Sequence, residues 1–340
     1  MTKIRFVRQA GHLAFLCAAL ALASCGGSSL PGSAARSASV SRGALAPNIA
    51  CASQTCIYAA SLNSERVTVF HRNANGNVPP VHTINGSSTG FDHPYGIALD
   101  AARNIYVANY SGDSITVYAA GADGDASPIA VISGSNTGLS GPRGLSIDSS
   151  GNIYVANNVS SSVAVFAAGS NGNVPPTRTI AGAGTGLGFP DAVFVDGSGK
   201  MFVTNSNGPS VTVYAANANG NATPLRTLAG SNTGLAYPWG VAVKAGQLFV
   251  TNFYAGSITV YAANANGNVS PTHTISGSNT GLVDVGGIAV KGTRLYVPNL
   301  GGPLPSILVF SSSANGNVAP LQTITGSNTN IGDAYYVAVR

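Results

Sequence analysis

A unit of 47 or 48 residues recurs almost from one end of this chain to the other, and that period constrains the fold more than any single residue does. Its clearest marker is a short apolar run that ends in asparagine. The asparagines at this position are Asn109, Asn157, Asn205, Asn252 and Asn299. A less regular first copy occupies residues 57–61. Such a period, with short apolar runs between Gly, Asn and Pro turns, predicts one supersecondary unit that is copied and packed against its neighbours.

A single unit contains four short segments with the pattern of β-strands. In the copy that follows Pro94, the segments are residues 96–100, 105–109, 115–118 and 129–132. Turn residues separate them, and the third alternates between apolar and polar side chains. The whole chain has 8% charged residues and a single glutamate, which disfavours long helices. Four antiparallel strands per unit, repeated radially, predict the blades of a β-propeller.

The number of blades follows from a count of strands at both ends of the chain. The predicted inner strands are residues 96–100, 144–148, 192–196, 240–244, 287–291 and 336–340. The first copy begins with a second strand and the last copy ends with an inner one. Strand 336–340 should therefore complete the blade that begins at Ile57, which removes an open sheet edge. The prediction is an all-β, six-bladed β-propeller over residues 47–340, closed by strand exchange between the N- and C-terminal segments.

The first 46 residues have the composition of an export signal and a tether. Basic residues at positions 3, 5 and 8 precede an apolar stretch, 13–23, that is too short to span a membrane as a mature helix. The sequence Leu-Ala-Ser-Cys-Gly at positions 22–26 resembles the lipobox of bacterial lipoproteins; an ordinary secretory signal is the alternative. The resemblance implies removal of residues 1–24, acylation of Cys25, and a flexible Gly/Ser/Ala tether over 25–46.

That resemblance also implies a location and a redox environment. Gly26 after the lipidated cysteine favours the outer membrane of a bacterial cell envelope. Two cysteines remain in the propeller, Cys51 and Cys56, and in an oxidising compartment we expect them to form a disulfide rather than free thiols. Two cysteines alone cannot complete a zinc shell, so a metal site is not expected there.

Charge excludes one class of partner. Beyond residue 46 the chain has 11 Lys and Arg residues and all 11 of its acidic residues, because the other five of the 16 bases precede that point. A nucleic-acid-binding surface needs an excess of basic side chains, so no nucleic acid is expected as a partner. We expect a monomer.

The combined motif Pro-x-Gly-Ile-Ala-x-Asp-x-x-Gly-Asn-Ile-Tyr-Val-Ala-Asn, with Ile-Thr-Val-Tyr after it, resembles NHL repeats and the wider TolB-like six-bladed propellers. The resemblance covers residues 50–340 and implies the same fold. It implies little about function, because such propellers serve as receptors, scaffolds, lyases and lactonases.

The middle residue of Pro-x-Gly differs from copy to copy, and these positions should surround one mouth of the central channel. We predict a face that binds a protein or a glycan, since aromatic and Arg side chains dominate recognition surfaces. The alternative is that the rings only plug the channel. The predicted face, including loop residues after the second strands, is Tyr95, Arg143, Asp191, Trp239, Tyr335, Tyr110, Phe253 and Tyr254.

The opposite mouth should be dipolar, because the inner strands end in three acids and then three bases: Asp100, Asp148, Asp196, Lys244, Lys291 and Arg340. Neighbouring carboxylates could hold Ca²⁺. The preferred interpretation is that each Asp stabilises its own turn, and no bound cofactor or metal is predicted. The recurrent Asn, present in every copy, is interpreted as structural.

Catalysis is the minority interpretation. Gluconolactonase-type and virginiamycin-lyase-like propellers, which this fold resembles, need a metal with Glu, Asp, Asn or His nearby. The only glutamate, Glu65, lies in a loop, and His93 is the only histidine expected near the channel mouth, without a partnered carboxylate. We predict no catalytic residues and a membrane-anchored binding or scaffold module. The alternative is a metal-dependent lactonase- or lyase-like enzyme with Asp191, His93 and channel Asn residues as ligands.

Overall fold

The structure is a computed structural model that describes residue 51 and residues 55–340. The predicted signal (1–24) and the tether (25–46), which includes Cys25, lie outside the described residues and stay predictions. Among the residues described, no helix is long and apolar enough to cross a membrane.

Within residues 55–340, twenty-four strands form six four-stranded antiparallel sheets. Each sheet is one blade, and its strands are given from the channel outwards. Blade 1 is β24 (Ala334–Val339), β1 (Cys56–Ser61), β2 (Arg66–His71) and β3 (His82–Ile84); blade 2 is β4 (Pro94–Leu99), β5 (Ile105–Asn109), β6 (Ser114–Tyr118) and β7 (Ala130–Ser133); blade 3 is β8 (Pro142–Ile147), β9 (Ile153–Asn157), β10 (Ser162–Phe166) and β11 (Arg178–Ile180).

The other three blades follow the same order. Blade 4 is β12 (Pro190–Val195), β13 (Met201–Asn205), β14 (Ser210–Tyr214) and β15 (Arg226–Ala229); blade 5 is β16 (Pro238–Lys244), β17 (Gln247–Asn252), β18 (Ser257–Ala262) and β19 (His273–Ile275); blade 6 is β20 (Ala289–Lys291), β21 (Arg294–Asn299), β22 (Ser306–Ser311) and β23 (Gln322–Thr325). Short 3₁₀ turns occur at Ala183–Thr185, Ser231–Thr233, Ser278–Thr280 and Ser327–Thr329.

The predicted closure is confirmed. Strand β24 pairs with β1 in antiparallel register, with Ile57 opposite Val339 and Ala59 opposite Val337. Strand β24 is therefore the inner strand of the first blade, and in the described part of the chain the six blades leave no unpaired inner edge.

The inner strands begin earlier than predicted in most blades. Pro94, rather than Gly96, starts β4, and a register shift between the two lets the proline sit opposite Asn109. Blade 6 is the exception, because its inner strand is only three residues long. The segment equivalent to Pro-x-Gly is Val-Gly-Gly in this blade. The backbone N–H of Gly286 donates to the carbonyl of Pro298 outside the regular ladder.

The core lies between the blades. All five residues of β5 and of β6 are buried, because neighbouring blades cover both faces of each sheet. Between blades 5 and 6, for example, Phe249 belongs to the same apolar cluster as Leu295 and Val297. Buried apolar surface between sheets therefore supplies the main stabilisation.

A polar contact joins the blades at the outer rim. The loop between the third and fourth strands of each blade carries Asn or Asp, then Gly, then Asn or Asp, and it contacts the outer strand of the preceding blade. In blade 3, Asn171 Oδ1 accepts the backbone N–H of Val131 at 2.9 Å, and Asn173 Oδ1 accepts that of Asn136 at 2.7 Å. We call these loops the rim clasps. They are residues 75–77, 123–125, 171–173, 219–221, 266–268 and 315–317.

Two other recurrent polar residues stabilise the blade itself. Asn109 is buried and donates from Nδ2 to the Oγ of Ser114 at 3.2 Å and the Oγ1 of Thr116 at 3.1 Å, which confirms the structural interpretation of the recurrent asparagine. Asp148 Oδ1 accepts the backbone N–H groups of Ser150 and Asn152, both at 2.9 Å. The turn interpretation of the aspartates therefore holds at this position.

Cys51 and Cys56 are joined by a disulfide, with their Cα atoms 5.9 Å apart. Cys56 is the first residue of β1, so the bridge ties the chain to the start of the first strand. Arg103, in the turn of blade 2, donates a hydrogen bond to the carbonyl of Cys51.

Candidate functional site

The variable Pro-x-Gly residues meet at one mouth of the channel. The Tyr95 ring of blade 2 stacks on Tyr335 of blade 1, with centroids 4.6 Å apart, and on Trp239 of blade 5 at 6.0 Å. Trp239 also stacks on Phe253, at 4.5 Å. Because Tyr95 and Trp239 are only 4% and 5% exposed, this layer closes the channel.

Tyr336 fills the space beneath that layer. It is buried, and its hydroxyl crosses the channel to donate a hydrogen bond to the carbonyl of Asp191 at 2.6 Å. The small residues at equivalent positions make room for it, since a Cβ added at Gly287 would lie 2.4 Å from the Tyr336 ring. Tyr336 was not predicted as a site residue. The signal was available, because it occupies the glycine position of the last Pro-x-Gly copy.

A cation lies against the aromatic layer. The guanidinium carbon of Arg143 is 5.1 Å from the Tyr95 ring centroid, 5.3 Å from that of Tyr110 and 5.2 Å from that of Trp239. Arg143 Nη1 also donates to Asp191 Oδ1. The charge is therefore held by three π faces and one carboxylate.

Asp191 is buried behind this arginine. Burial raises the pKa of its carboxyl to about 6, and the Arg143 guanidinium opposes that rise. Asn158 Nδ2 donates to Asp191 Oδ1 at 3.2 Å. Three atoms of this group have no hydrogen-bond partner among the described residues: Arg143 Nε, Asp191 Oδ2 and Trp239 Nε1. Unpaired buried polar atoms are costly, so they mark positions where water or a ligand would be stabilising.

Outside the aromatic layer the mouth opens into a cavity of about 480 Å³, which we call the aromatic cavity. Seven rings line it, together with Arg143 and His93. The rings are those of Tyr95, Tyr110, Tyr237, Trp239, Phe253, Tyr254 and Tyr335. Tyr254 stands at the lip with 72% of its surface exposed and packs on Tyr237, with ring centroids 4.9 Å apart.

Seven of the eight residues predicted for the binding face line this cavity, and Asp191 lies behind them. Tyr237 was missed, although it precedes Pro238 as His93 precedes Pro94, so a comparison of the copies could have identified it. The rings that close the channel are also part of the cavity wall. The binding face expected from the sequence stays a prediction.

The expectation that His93 lacks a carboxylate partner is wrong. Its Nδ1 lies 3.0 Å from Asp92 Oδ1, and Glu65 brings a second carboxylate within 4.8 Å. Glu65 was set aside because its loop does not begin an inner strand. Loops of adjacent blades meet at this mouth, which places residues far apart in sequence side by side. Asp191, the other ligand suggested for an enzyme, is instead paired with Arg143.

The opposite mouth forms a cavity of about 460 Å³ lined by Lys244, Lys291 and Arg340. Asp100, Asp148 and Asp196 accept hydrogen bonds from their own turns. At Asp148, partial burial raises the pKa, but the hydrogen bonds from Asn152, Tyr154 and Ser150 together lower it more, and the net shift is downwards.

Comparison with known proteins supports the propeller and leaves its activity open. A family model described as "Lactonase, 7-bladed beta-propeller" matches residues 53–187, less than half of the chain, whereas this structure has six blades. No curated protein matches the sequence.

Solved structures share the fold at low sequence identity. A chain from the crystal structure of a nidogen/laminin complex is 17% identical, covers 84% of this chain and 98% of its own, and has a TM-score of 0.61. A protein of unknown function from Bacteroides caccae is 11% identical over 84% and 99%, with a TM-score of 0.62. A streptogramin B lyase is 11% identical over 74% and 80%, with a TM-score of 0.50. At these identities the likeness concerns the fold alone. The chain is a six-bladed β-propeller with distant structural similarity to nidogen, lactonase and lyase propellers.

Proposed function

We propose that this protein is a membrane-anchored, extracytoplasmic binding module whose aromatic cavity takes up a protein or glycan partner. The observation that carries the proposal is the cavity itself: seven aromatic rings surround a space of about 480 Å³, with Tyr254 exposed at the lip. Aromatic and Arg side chains in a partly desolvated depression are the usual anchors of recognition.

The chemistry of the cavity suits a partner without a strong charge. The positive charge of Arg143 is offset by Asp191, so the wall offers mainly π faces. Such flat apolar faces suit the carbon face of a sugar ring or an apolar side chain on an exposed loop. The nidogen/laminin structure supports the proposal only in showing that a propeller of this shape occurs in a protein complex.

The anchor is tested separately from the cavity. Thioether lipidation requires the Cys25 sulfur, so Cys25→Ser should release the protein from membranes or block its processing. A fatty-acid analogue that labels the variant as strongly as the wild type would remove the lipoprotein from the proposal.

The binding function is tested at the lip of the cavity, where a substitution leaves the core intact. A photo-crosslinking residue at position 111, where exposed Ser111 lines the same cavity, should trap one defined partner in cells, and a glycan array should report binding if that partner is a carbohydrate. Tyr254→Ala should weaken capture by about tenfold or more while the melting temperature changes little.

The matched control is Leu321→Ala, which removes an exposed apolar side chain of 58% exposure from the outer surface. It should bind as the wild type does. Equal loss of capture in both variants, or none in either, would exclude the aromatic cavity as the binding site.

An alternative is a metal-dependent lactonase or lyase. The lactonase family match and the His93–Asp92 pair at the cavity rim favour it. In that case the purified protein should open lactones in a chelator-sensitive reaction that His93→Ala abolishes. Turnover that persists in His93→Ala, or none above background in the wild type, would contradict it.

A further inference from the structure

The junction between blades 1 and 2 differs chemically from the equivalent junctions. At the next junction, Asp113 Oδ1 accepts the backbone N–H of Gly141 at 2.6 Å. At the one after, Ser161 Oγ accepts that of Phe189 at 3.2 Å. In each case a short polar side chain after a second strand contacts the residue before the next inner strand. At the first junction these two positions hold Glu65 and His93, both of them side chains that bind metals.

The side chains at this junction have the spacing of metal ligands. One ligand atom each from Glu65, Asp92 and His93 lies within 4.8 Å of the other two. His93 Nδ1 and Asp92 Oδ1 are 3.0 Å apart. Two ligands bound at about 2.0–2.2 Å to one ion lie roughly 3–3.5 Å from each other. The His93–Asp92 pair already has this separation, and the exposed Glu65 carboxylate, within 4.8 Å of both ligand atoms, has to come closer by up to about 1.5 Å.

The two carboxylates are not neutralised by the protein. Among the described residues, no ion pair joins Glu65 or Asp92 to a Lys or Arg. Asp333, which precedes the inner strand of blade 1 as His93 precedes that of blade 2, does have partners in the protein. Its carboxylate accepts hydrogen bonds from the backbone N–H of Asn63 at 2.9 Å and from the Ser64 hydroxyl at 3.3 Å. The excess negative charge at the first junction therefore favours a cation.

We propose that Glu65, Asp92 and His93 bind a divalent transition-metal ion such as Zn²⁺. One imidazole and two carboxylates suit this class, whereas Ca²⁺ and Mg²⁺ prefer oxygen ligands alone. Three protein ligands leave a coordination position open. His93 also lines the aromatic cavity, so the ion stands at its rim, where a bound molecule can supply the remaining ligand. The site does not depend on the partner binding proposed above.

Metal binding by the full chain tests the proposal directly. The protein is purified in detergent, stripped with a chelator and dialysed against Zn²⁺ or Co²⁺, and bound metal is counted by elemental analysis. We expect one ion per chain and a Co²⁺ absorption spectrum with nitrogen ligation. His93→Ala should abolish binding. Glu65→Gln and Asp92→Asn should each weaken it by more than about tenfold, since even outer-shell changes have effects of that size.

The control is His273→Ala, which removes a histidine from an outer strand, where its ring contacts Thr272. It should bind metal as the wild type does, and circular dichroism should show all variants folded. The proposal is overturned if the wild type binds no Zn²⁺ or Co²⁺, if binding survives His93→Ala, or if His273→Ala loses as much metal as His93→Ala does.

Discussion

The six blades are joined by repeated contacts at the outer rim and by different side chains at the channel mouth. At the rim, all six clasps use the same residue types, and in every copy the second Asn or Asp accepts a backbone N–H at 2.7 Å. At the mouth, the six equivalent positions hold Tyr, Arg, Asp, Trp, Gly and Tyr. The rim repeats one contact, and the mouth has a different side chain in almost every blade.

The difference follows from geometry. Each clasp contacts only the preceding blade, so the same residues and the same hydrogen bond can be used at all six junctions. The residues at the mouth share a single central space, and six copies of one large side chain would collide there. Tyr336 fits because Gly144 and Gly287 are small, and Arg143 is held by rings and a carboxylate from other blades. Packing alone therefore requires variation at the mouth, so variation there does not by itself identify a binding face.

The largest expected effect comes from removing the inner closure. Deletion of Tyr336–Arg340 removes most of β24, the partner of β1, and the side chain that fills the channel. The loss should be several kcal/mol, comparable with the whole stability of a typical domain, and should appear as loss of cooperative thermal unfolding. The rim clasp between blades 6 and 1 remains in this variant. A truncated protein that melts within a few degrees of the wild type would show that the clasp alone can close the ring.

Trp239→Ala should be the most costly single substitution at the mouth. The ring stacks on Tyr95, Phe253 and Tyr335, so its removal leaves a cavity and should destabilise the protein by about 3–5 kcal/mol, measured by chemical denaturation. Tyr118→Ala, which removes a fully buried ring inside blade 2, is the comparison and should cost a similar amount. If Trp239→Ala lowers the free energy of unfolding by less than about 1 kcal/mol while Tyr118→Ala lowers it by the expected amount, the rings at the mouth do not form a structural layer.

The blade count, strand order and closure were predictable because they rest on local signals: apolar runs, turn residues and a fixed period. The same signals missed two kinds of contact between blades. Asp123-Gly124-Asp125 reads locally as a hairpin turn, yet Asp123 accepts a hydrogen bond from Thr83, 40 residues away in the preceding blade. Glu65 and His93 are likewise brought together by two blades. A single sequence does not show which residues of neighbouring blades lie opposite each other, and these contacts depend on that register.

The pH dependence of stability should distinguish the mouth from the rim. Because burial raises the pKa of Asp191 to about 6, the folded state holds its proton more tightly than the unfolded chain does. Its contribution to stability is therefore largest at acidic pH and falls as the pH rises from about 4 to 6. The stability of the wild type relative to Asp191→Asn should decrease over that range, by roughly 3 kcal/mol at most, and then level off.

Denaturation midpoints at several pH values measure this difference. An increase in the relative stability of the wild type between pH 4 and 6 would mean that pairing with Arg143, rather than burial, controls the carboxyl. Asp125, a clasp residue on the exposed rim, provides the comparison variant Asp125→Asn.

The smallest effects on stability are expected at the rim, and the prediction is that they are equal in all six blades. Replacing the second clasp residue by Ala removes one side-chain acceptor from a backbone N–H that water can reach, so each substitution should cost about 0.5–1 kcal/mol. The six variants are Asn77→Ala, Asp125→Ala, Asn173→Ala, Asn221→Ala, Asn268→Ala and Asn317→Ala. Asn207→Ala, in an exposed loop, should change stability by less than about 0.5 kcal/mol. Shifts in denaturation midpoint that agree among the six would support the view that each clasp has the same surroundings. A single clasp that costs several times more than the others would show that the rim, like the mouth, contains a specialised blade junction, and Asn77 at the closure between blades 6 and 1 is the first place to look for it.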